Sequence, residues 1–275
     1  MSKRASRFIS LRGLILTFVL LAVSATLVNS LIVAYGVQRD ALIQSALEAD
    51  RAYAFKVASS IDEFLRSTHR RLKYSSQILG SHFNEPDVLK AETMRLQGQD
   101  AGLNSVLIID ASGKSLQAYP EFPLIVGITV NSTEVQQALQ AQRPMVSDGY
   151  VSAAGNLIVF ISEPIFSPSG QFLGIIGASI YVQEQGALHT LIASHSHVDG
   201  TFAFIADENR RLLYHPDRGK IGEVLRVSST VDAALRGERG AMEAVSHDGV
   251  AMLSGYAQVS GAKWAVVSQQ PRALA

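Results

Sequence analysis

The feature that most constrains this chain is a run of 26 residues, from 13 to 38, that contains no charged side chain. At about 1.5 Å per residue, an α-helix of this length extends roughly 39 Å and exceeds the hydrocarbon core of a bilayer, which is about 30 Å thick. The run therefore predicts a transmembrane helix over residues 13–36. A cleaved signal peptide is the alternative, with an apolar core at residues 14–23 and a cleavage-like Val23-Ser24-Ala25. Because the apolar run continues past that point to Val33, we favour an uncleaved anchor.

Charge on either side of this run predicts its orientation. Four of the first twelve residues are Lys or Arg, whereas Arg39-Asp40 on the other side is neutral overall. By the positive-inside rule, residues 1–12 form a cytoplasmic tail and residues 37–275 lie on the far side of the membrane. Without the tail, 20 basic and 24 acidic residues remain for this outer part, which is mildly acidic.

Composition excludes several classes of protein. The chain has 24 basic and 24 acidic residues, no cysteine, and 47% hydrophobic residues. A neutral chain gives no case for binding nucleic acid, and a chain this apolar is not disordered. The lack of cysteine excludes a disulfide scaffold and a cysteine nucleophile. No GxSxG, HExxH, GxGxxG or GxxxxGK motif occurs, so we predict neither an enzyme nor a bound cofactor.

Residues 37–82 are predicted to form a long stalk helix. The stretch contains no Pro, and apolar residues recur at nearly helical spacing, as at Val57, Ile61, Leu65 and Leu72. At about 1.5 Å per residue, residues 37–80 reach roughly 66 Å, which is longer than one small domain. The helix packs along its own domain, pairs with a second copy, or does both. We expect a homodimer through this helix.

The pattern after residue 83 predicts an α+β fold with two tandem PAS-like antiparallel-sheet domains, at residues 83–183 and 184–271. After a helix over residues 86–97, each domain has short strands joined by tight turns and one short helix, at 132–142 and 229–235. One of the strands is expected over residues 145–152. The halves align at an offset of 96 or 97 residues, which matches Asp110 with Asp207 and Phe160 with Tyr256.

Five stretches carry a resemblance to a known family. They are LIVFISEP (157–164) and SPSGQFLGIIGASIYV (167–182) in the first half, and FAFIADENRRLLYHP (202–216), LSGYAQV (253–259) and KWAVVSQQP (263–271) in the second. Their order and spacing resemble the double Cache (dCache) family of bacterial extracytoplasmic sensors. The resemblance covers residues 37–271.

The resemblance implies an arrangement across a bacterial inner membrane, with residues 37–275 in the periplasm. Residues 83–183 would be the membrane-distal domain that binds a small molecule, and residues 184–271 the membrane-proximal domain. In this family the closing strand leads into a second membrane helix, so residues 272–275 are expected to begin a further segment. In relatives that segment carries a diguanylate cyclase, a chemoreceptor signalling rod or a histidine kinase. The stretch YHPDRGKIGE (214–223) is most similar to the inputs of diguanylate cyclases.

We expect the ligand site between the first sheet and the helix-rich segment over it. Tyr150 follows a polar segment and precedes a strand, so its ring can wall a cavity while its hydroxyl orients a ligand. Arg143 and Asp148 have opposite charges and could hold an ionic ligand. Plain core packing for Tyr150 and a solvated helix end for Arg143 are the alternatives. The candidate ligand-binding residues are Tyr119, Arg143, Asp148, Tyr150, Phe160, Ser179 and Tyr181.

One branch of the family binds amino acids, and the resemblance extends to it at one position only. That branch uses an Arg-x-Trp segment, a Tyr, an Asp two residues after the Tyr, and an Asp in a GVxGxD strand. Here residues 124–132 contain neither Arg nor Trp, Ser152 and Ser179 stand at the two Asp positions, and Tyr150 alone matches. Without these carboxylates an α-ammonium group lacks its charge-assisted partners. We therefore predict that the chain is not an amino-acid receptor of this type.

Other site chemistries have weaker signals. His195 and His197, with Asp199, could suggest a metal, but two histidines two residues apart do not define a site, and we predict no metal. A secreted or anchored enzyme would need a nucleophile, a base or a metal cluster that the sequence does not display. A protein-interaction module without a small ligand is the remaining alternative to a sensor.

Overall fold

The computed structural model describes residues 11–99, 102–120, 125–182, 186–193, 201–246 and 249–274. Helix α1 spans Leu11–His82 without interruption. Among the described residues it is the one helix long and apolar enough to cross a bilayer, with a mean hydropathy of 2.2 over its most apolar window. A signal sequence near the N-terminus meets the same criterion. The residues up to Ala46 and the residues Leu47–Leu274 form separate units.

In the described part of the second unit there are two sheets and four further α-helices. The helices are α2 (Pro86–Gln99), α3 (Thr133–Ala141), α4 (Ala187–Ala193) and α5 (Ser229–Leu235). The strands of the first sheet are β1 (Ser105–Asp110), β2 (Ser115–Tyr119), β3 (Met145–Val146), β4 (Tyr150–Val151), β5 (Leu157–Phe166) and β6 (Phe172–Tyr181). Those of the second are β7 (Phe202–Ala206), β8 (Leu212–Tyr214), β9 (Gly240–Val245), β10 (Ala251–Val259) and β11 (Trp264–Pro271).

The two sheets share one topology. The first has the order β2-β1-β6-β5-β3, with β4 also paired to β5, and the second has the order β8-β7-β11-β10-β9. Every pairing is antiparallel. The order places the last strand of each repeat, β6 or β11, at the centre of its sheet. The predicted α+β fold, with a long N-terminal apolar helix and two tandem sheets, is confirmed.

A repeated turn fixes the equivalence of the two sheets. At the end of β1, Asp110 Oδ1 accepts a hydrogen bond from the N–H of Lys114 at 3.0 Å. At the end of β7, Asp207 Oδ1 accepts one from the N–H of Arg211 at 2.8 Å. Just before each Asp, the pairing register shifts. The shift lies between Ile108 and Ile109 in the β1–β2 pair, and between Ile205 and Ala206 in the β7–β8 pair. The predicted match of Asp110 with Asp207 therefore holds in three dimensions.

The strand ladders correct another predicted match. In the central strands, Ser179 of β6 pairs with Phe160, and Gln269 of β11 pairs with Ser254. Ser179 and Gln269 are equivalent, because each pairs with the first residue of β1 or β7. Phe160 is thus equivalent to Ser254, and its predicted match with Tyr256 is wrong by two residues. The β10–β11 connection is one residue shorter than the β5–β6 connection, and β5 also contains a register shift near its end.

The strand predicted over residues 145–152 is interrupted. It divides into β3 and β4, and the register with β5 changes by one residue between them. Ser147 still donates its N–H to the Phe160 carbonyl of β5. The backbone N–H of Gly149 points to the second sheet domain, where it donates a hydrogen bond to the Asp207 carboxylate. A donor that bonds outside its own sheet cannot also continue the ladder, and this ends the strand.

Helix α1 packs against one face of both sheets. Val57, Ile61 and Leu72 are fully buried in a core that also contains Val159 of β5 and Val266 of β11. Burying one such aliphatic side chain contributes about 1.5–3 kcal/mol, so this shared core is a major source of stability. The opposite face of the first sheet packs on α3, and that of the second sheet packs on α5. Each sheet is therefore covered on both faces.

Candidate functional site

A cavity of about 120 Å³ lies between the first sheet and α3, where a ligand site was predicted. Tyr150, Phe160, Ser179 and Tyr181, four of the seven predicted residues, line this first cavity. Strand alternation explains how they meet, because Phe160 and Ser179 are paired across β5 and β6 and their side chains share one face. Tyr150 enters from the short strand β4.

The other three predicted residues are not among its described lining. Tyr119 ends the edge strand β2. Arg143 lies at a separate surface depression beside the buried Glu163. The Asp148 carboxylate faces the second sheet domain, where its Oδ2 accepts a hydrogen bond from Asn209 Nδ2 at 2.7 Å. The structure therefore does not bring Arg143 and Asp148 together at the first cavity.

Neutral hydroxyl and amide groups supply the polarity of the first cavity. The Oγ atoms of Ser105 and Ser179 lie 2.5 Å apart and form a buried hydrogen bond. Thr129 and Asn131 add further polar groups, and the described lining residues include none that carries a charge. The described lining residues can hydrogen-bond a neutral group, but none of them offers a counter-ion to a charged ligand.

Tyr150 is neutral in this setting. Burial raises the pKa of its phenol to about 12, while the neighbouring Ser132 hydroxyl opposes that rise. The neutral phenol can both donate and accept a hydrogen bond. The ring and the hydroxyl of Tyr150 thus suit a ligand with an apolar body and one polar end.

A glycine shapes the floor of the first cavity. The aromatic ring of Phe160 lies where a Cβ at residue 177 would be, so Gly177 is required for this packing. The ring fills space over the middle of the sheet and thereby limits the cavity volume. Sequence reasoning chose Phe160 as a ligand contact but did not identify its dependence on Gly177.

The sequence analysis also missed one wall of the cavity. Ile125, Ile128 and Val130 belong to the segment that connects β2 to α3, and they line the cavity together with the α3 residue Val135. Backbone hydrogen bonds hold this segment, as where Ser115 N–H donates to the Ile128 carbonyl. The closely spaced apolar residues were the available signal, but a segment without regular secondary structure has no periodicity to exploit.

The described residues contain no candidate metal site. His195, His197 and Asp199, considered above as weak metal ligands, lie outside the described residues. Within the described part of the chain, no group of three or more His, Asp or Glu side chains could hold a metal ion.

Two tandem antiparallel sheets beside a long helix, with a cavity under the short helix of the first sheet, define a sensor-like double-sheet module. The Cache domain family model (dCache_1) matches residues 36–275. The chain belongs to this family.

Solved structures show the same fold. An extracellular ligand binding receptor from Desulfohalobium retbaense is 13% identical with a TM-score of 0.66, and the match covers 79% of this chain and 39% of the receptor. The ligand-binding domain of the Pseudomonas aeruginosa amino acid chemoreceptor PctB, in complex with L-Gln, is 19% identical with a TM-score of 0.63. The match covers 82% of this chain and 90% of the PctB domain. The ligand-binding domain of the Pseudomonas fluorescens chemoreceptor CtaA, in complex with L-isoleucine, is 17% identical with a TM-score of 0.66. The match covers 85% of this chain and 95% of the CtaA domain. No curated protein matches the chain significantly.

Proposed function

We propose that this chain is the extracytoplasmic ligand-sensing region of a membrane-bound signal transduction protein. The observation that carries the proposal is the first cavity, which is lined by apolar side chains and a few convergent polar groups. Membership of the Cache family and the similarity to ligand-binding domains of receptors support it. In this proposal the N-terminus is cytoplasmic, the apolar part of α1 crosses a bacterial inner membrane, and the sheets lie in the periplasm.

The ligand of the first cavity is, in this proposal, a small uncharged molecule. PctB and CtaA were solved with amino acids bound, and an amino acid needs partners for its two charged groups. Ser152 and Ser179, at the positions where the amino-acid branch has Asp, both line the first cavity of this chain. Their hydroxyls satisfy a neutral polar group better than an ammonium group, which would remain without a counter-ion.

The ligand would favour one packing of the first sheet domain, and α1 would pass the change towards the membrane. The continuity of α1 from Leu11 to His82 supports this route. Packed helices switch between discrete arrangements rather than deforming continuously, so a small displacement is sufficient. We propose the input of a diguanylate cyclase, supported by the YHPDRGKIGE stretch; the input of a chemoreceptor or a histidine kinase is the alternative. The chain itself is proposed to have no catalytic activity, and to dimerise through α1.

Thermal unfolding of the full chain in lipid nanodiscs tests the ligand class. A panel would include small alcohols, amides, amino acids, carboxylates and amines, since a ligand that binds only the folded state raises the melting temperature. We expect a shift with uncharged compounds only. Tyr150→Ala should abolish the shift, and Arg143→Ala, outside the first cavity, should leave it unchanged. A shift by an amino acid that Tyr150→Ala abolishes would place a charged ligand in the first cavity and overturn the proposal.

A second experiment tests transmission. Two glycines inserted after Ala58 in α1 would uncouple the two ends of the helix, because glycine is the most flexible residue and a poor helix former. In a chain fused to a diguanylate cyclase output, the insertion should remove ligand control while ligand binding remains. Unchanged ligand control would exclude this route.

A further inference from the structure

A second and larger cavity lies in the second sheet domain. Its volume is about 250 Å³, and it lies on the face of the second sheet that also packs on α5. Helix α5 has seven residues and packs over Tyr256 and Val267, towards one end of this face. The other end, over Phe202 and Met252, remains open as the second cavity.

The two cavities occupy the same place in the repeated fold. Ser179 lines the first cavity, and its equivalent, Gln269, lines the second. The residues that precede the two short helices behave alike. Ser132, before α3, lines the first cavity, and Ser228, before α5, lines the second. The second cavity is therefore the counterpart of the proposed ligand site rather than an accidental void.

One exchange of side chains explains why the second cavity is larger. Phe160 fills the floor of the first cavity, and it can do so because residue 177 is glycine. In the second sheet the equivalent positions are occupied by Ser254 and Val267. A serine in place of a phenylalanine leaves the space of a ring empty, and a valine in place of a glycine does not refill it.

A buried polar group without a hydrogen-bond partner lies next to the lining residues of the second cavity. Ser254 is fully buried, and its Oγ has no hydrogen-bond partner among the described residues. Its side chain lies on the same strand face as Met252, which lines the second cavity, and next to its ladder partner Gln269. A ligand that hydrogen-bonds to Gln269 would therefore lie beside a polar group rather than an apolar one.

Aromatic rings form one wall of the second cavity. The ring centroids of Phe202 and His215 are 5.5 Å apart in an edge-to-face arrangement, and Phe204 lies 6.3 Å from His215. Burial lowers the pKa of His215, so its ring is neutral near pH 7. The lining also includes Lys220 and Glu223, whose charges are opposite, so the cavity offers no excess of either sign.

We infer that the second cavity is a further binding site, for a small uncharged aromatic molecule with one hydrogen-bonding substituent, the chemical class of phenol. The ring would pack against Phe202, Phe204 and His215, and the substituent would bond to the Gln269 amide, which lines the cavity. A dry cavity of about 150 Å³ accommodates benzene, so about 250 Å³ is sufficient for a substituted ring. This site goes beyond the proposed function, which uses the first cavity alone.

Phenol binding to the full chain in lipid nanodiscs, followed by ligand-observed NMR and calorimetry, tests the inference. Toluene, benzoate and benzylamine serve as comparisons that lack the hydroxyl or carry a charge. We expect saturable binding of phenol, with at least about tenfold weaker binding of the three comparisons. The variant Gln269→Leu should weaken phenol binding and leave toluene binding unchanged.

A grafted variant separates the two cavities. Ser254→Phe combined with Val267→Gly reproduces the Phe160–Gly177 arrangement, and it should abolish phenol binding while the fold is retained. If that variant does not fold, Gln269→Leu tests the same cavity and should reduce binding. The control, Arg143→Ala at a separate surface depression outside both cavities, should bind phenol like the unmodified chain. Phenol binding by Gln269→Leu equal to that of the unmodified chain, or no saturable binding at millimolar phenol, would overturn the inference.

Discussion

The carboxylate of Asp207 accepts a hydrogen bond from the backbone N–H of Gly149, with 3.0 Å between Oδ2 and N. Gly149 immediately precedes Tyr150, which lines the first cavity, and Asp207 closes the first turn of the second sheet. Residue 149 also lies so close to Leu213 that a Cβ there would collide with that side chain. One buried hydrogen bond therefore connects a wall of the first cavity to the second sheet domain.

Replacement of Asp207 should destabilise the chain. Asp207→Ala leaves the N–H groups of Gly149 and Arg211 without their acceptor, and we expect a loss of about 2–4 kcal/mol in the free energy of unfolding. Urea unfolding, followed by the fluorescence of the buried Trp264, measures it. Asp110→Ala is the matched control, because it disrupts the equivalent turn at a more exposed site and should cost about 1 kcal/mol. Equal losses would show that the bond to Gly149 contributes little.

The stability of the chain should depend on the ionisation of Asp148. Burial raises the pKa of Asp148 to about 6, and the neighbouring negative charge of Asp207 adds to the rise. Because the folded state disfavours the charged form, stability falls as the pH rises from the ordinary value of 3.8 to about 6. Asp148→Asn should thus raise the melting temperature at about pH 7.5 and have little effect near pH 3.5. A gain of equal size at both pH values would contradict this origin.

Glu163 predicts a second pH effect at a different place. The residue is 4% exposed, its Oε2 has no hydrogen-bond partner among the described residues, and burial raises its pKa to about 7 against the opposing charge of Lys73. His69 Nδ1 lies 3.8 Å away, and burial lowers the pKa of that imidazole. Stability from this site is lost as the pH rises from 4.5 to about 7. Melting curves should show Glu163→Gln stabilised at about pH 8 and unchanged near pH 4.5; destabilisation at the higher pH would refute the assignment.

Gly177 and Phe160 should be coupled in a double-mutant cycle. Gly177→Ala places a Cβ inside the ring of Phe160 and should cost about 1–3 kcal/mol by overpacking. In a Phe160→Leu background the smaller side chain relieves the collision, so the same substitution should cost about 1 kcal/mol less. Chemical denaturation of the four chains measures the coupling. Strictly additive effects would mean that the backbone, rather than the ring, absorbs the added methyl group.

The contact between α1 and the second sheet depends on another glycine. A Cβ at Gly255 of β10 would collide with the α1 backbone at Asp50, and a backbone cannot rotate away as a side chain can. Gly255→Ala should therefore cost about 3 kcal/mol. Gly98→Ala in α2, where no atom lies within 4 Å, is the control and should stabilise the chain by about 0.5–1 kcal/mol. Thermal unfolding distinguishes the two, and a tolerated Gly255→Ala would show that α1 can move away from β10.

The parts of the fold that sequence predicted have strong local signals. The long apolar helix and the buried strands β5 and β6 follow from continuous hydrophobic runs, and the turns at Asp110 and Asp207 follow from their residue types. The equivalence of Phe160 and Ser254 did not follow, because a connection length and a register shift determine it, and neither alters the hydrophobic pattern. Local pattern determines which elements form, whereas ladder register determines which side chains face each other.

In the candidate site, too, the residues set by local pattern were predicted and those set by tertiary contacts were not. Tyr150, Phe160 and Ser179 were within reach of sequence reasoning because strand alternation determines which face each occupies. Arg143 and Asp148 were not, because both lie in loops whose direction depends on tertiary contacts. The interdomain hydrogen bonds of Asp148 could not be anticipated from a stretch read in isolation.

Alternate residues of the same strands serve the cavity and the long helix. In β5, Ile158 and Phe160 line the first cavity, while Val159 and Ile161 pack in the core shared with α1. The described lining residues of both cavities include none from α1. The cavity lining and the contact with α1 thus lie on opposite faces of one sheet. Substitutions at every second position of β5 can therefore change the cavity lining without replacing a residue that packs in the core shared with α1.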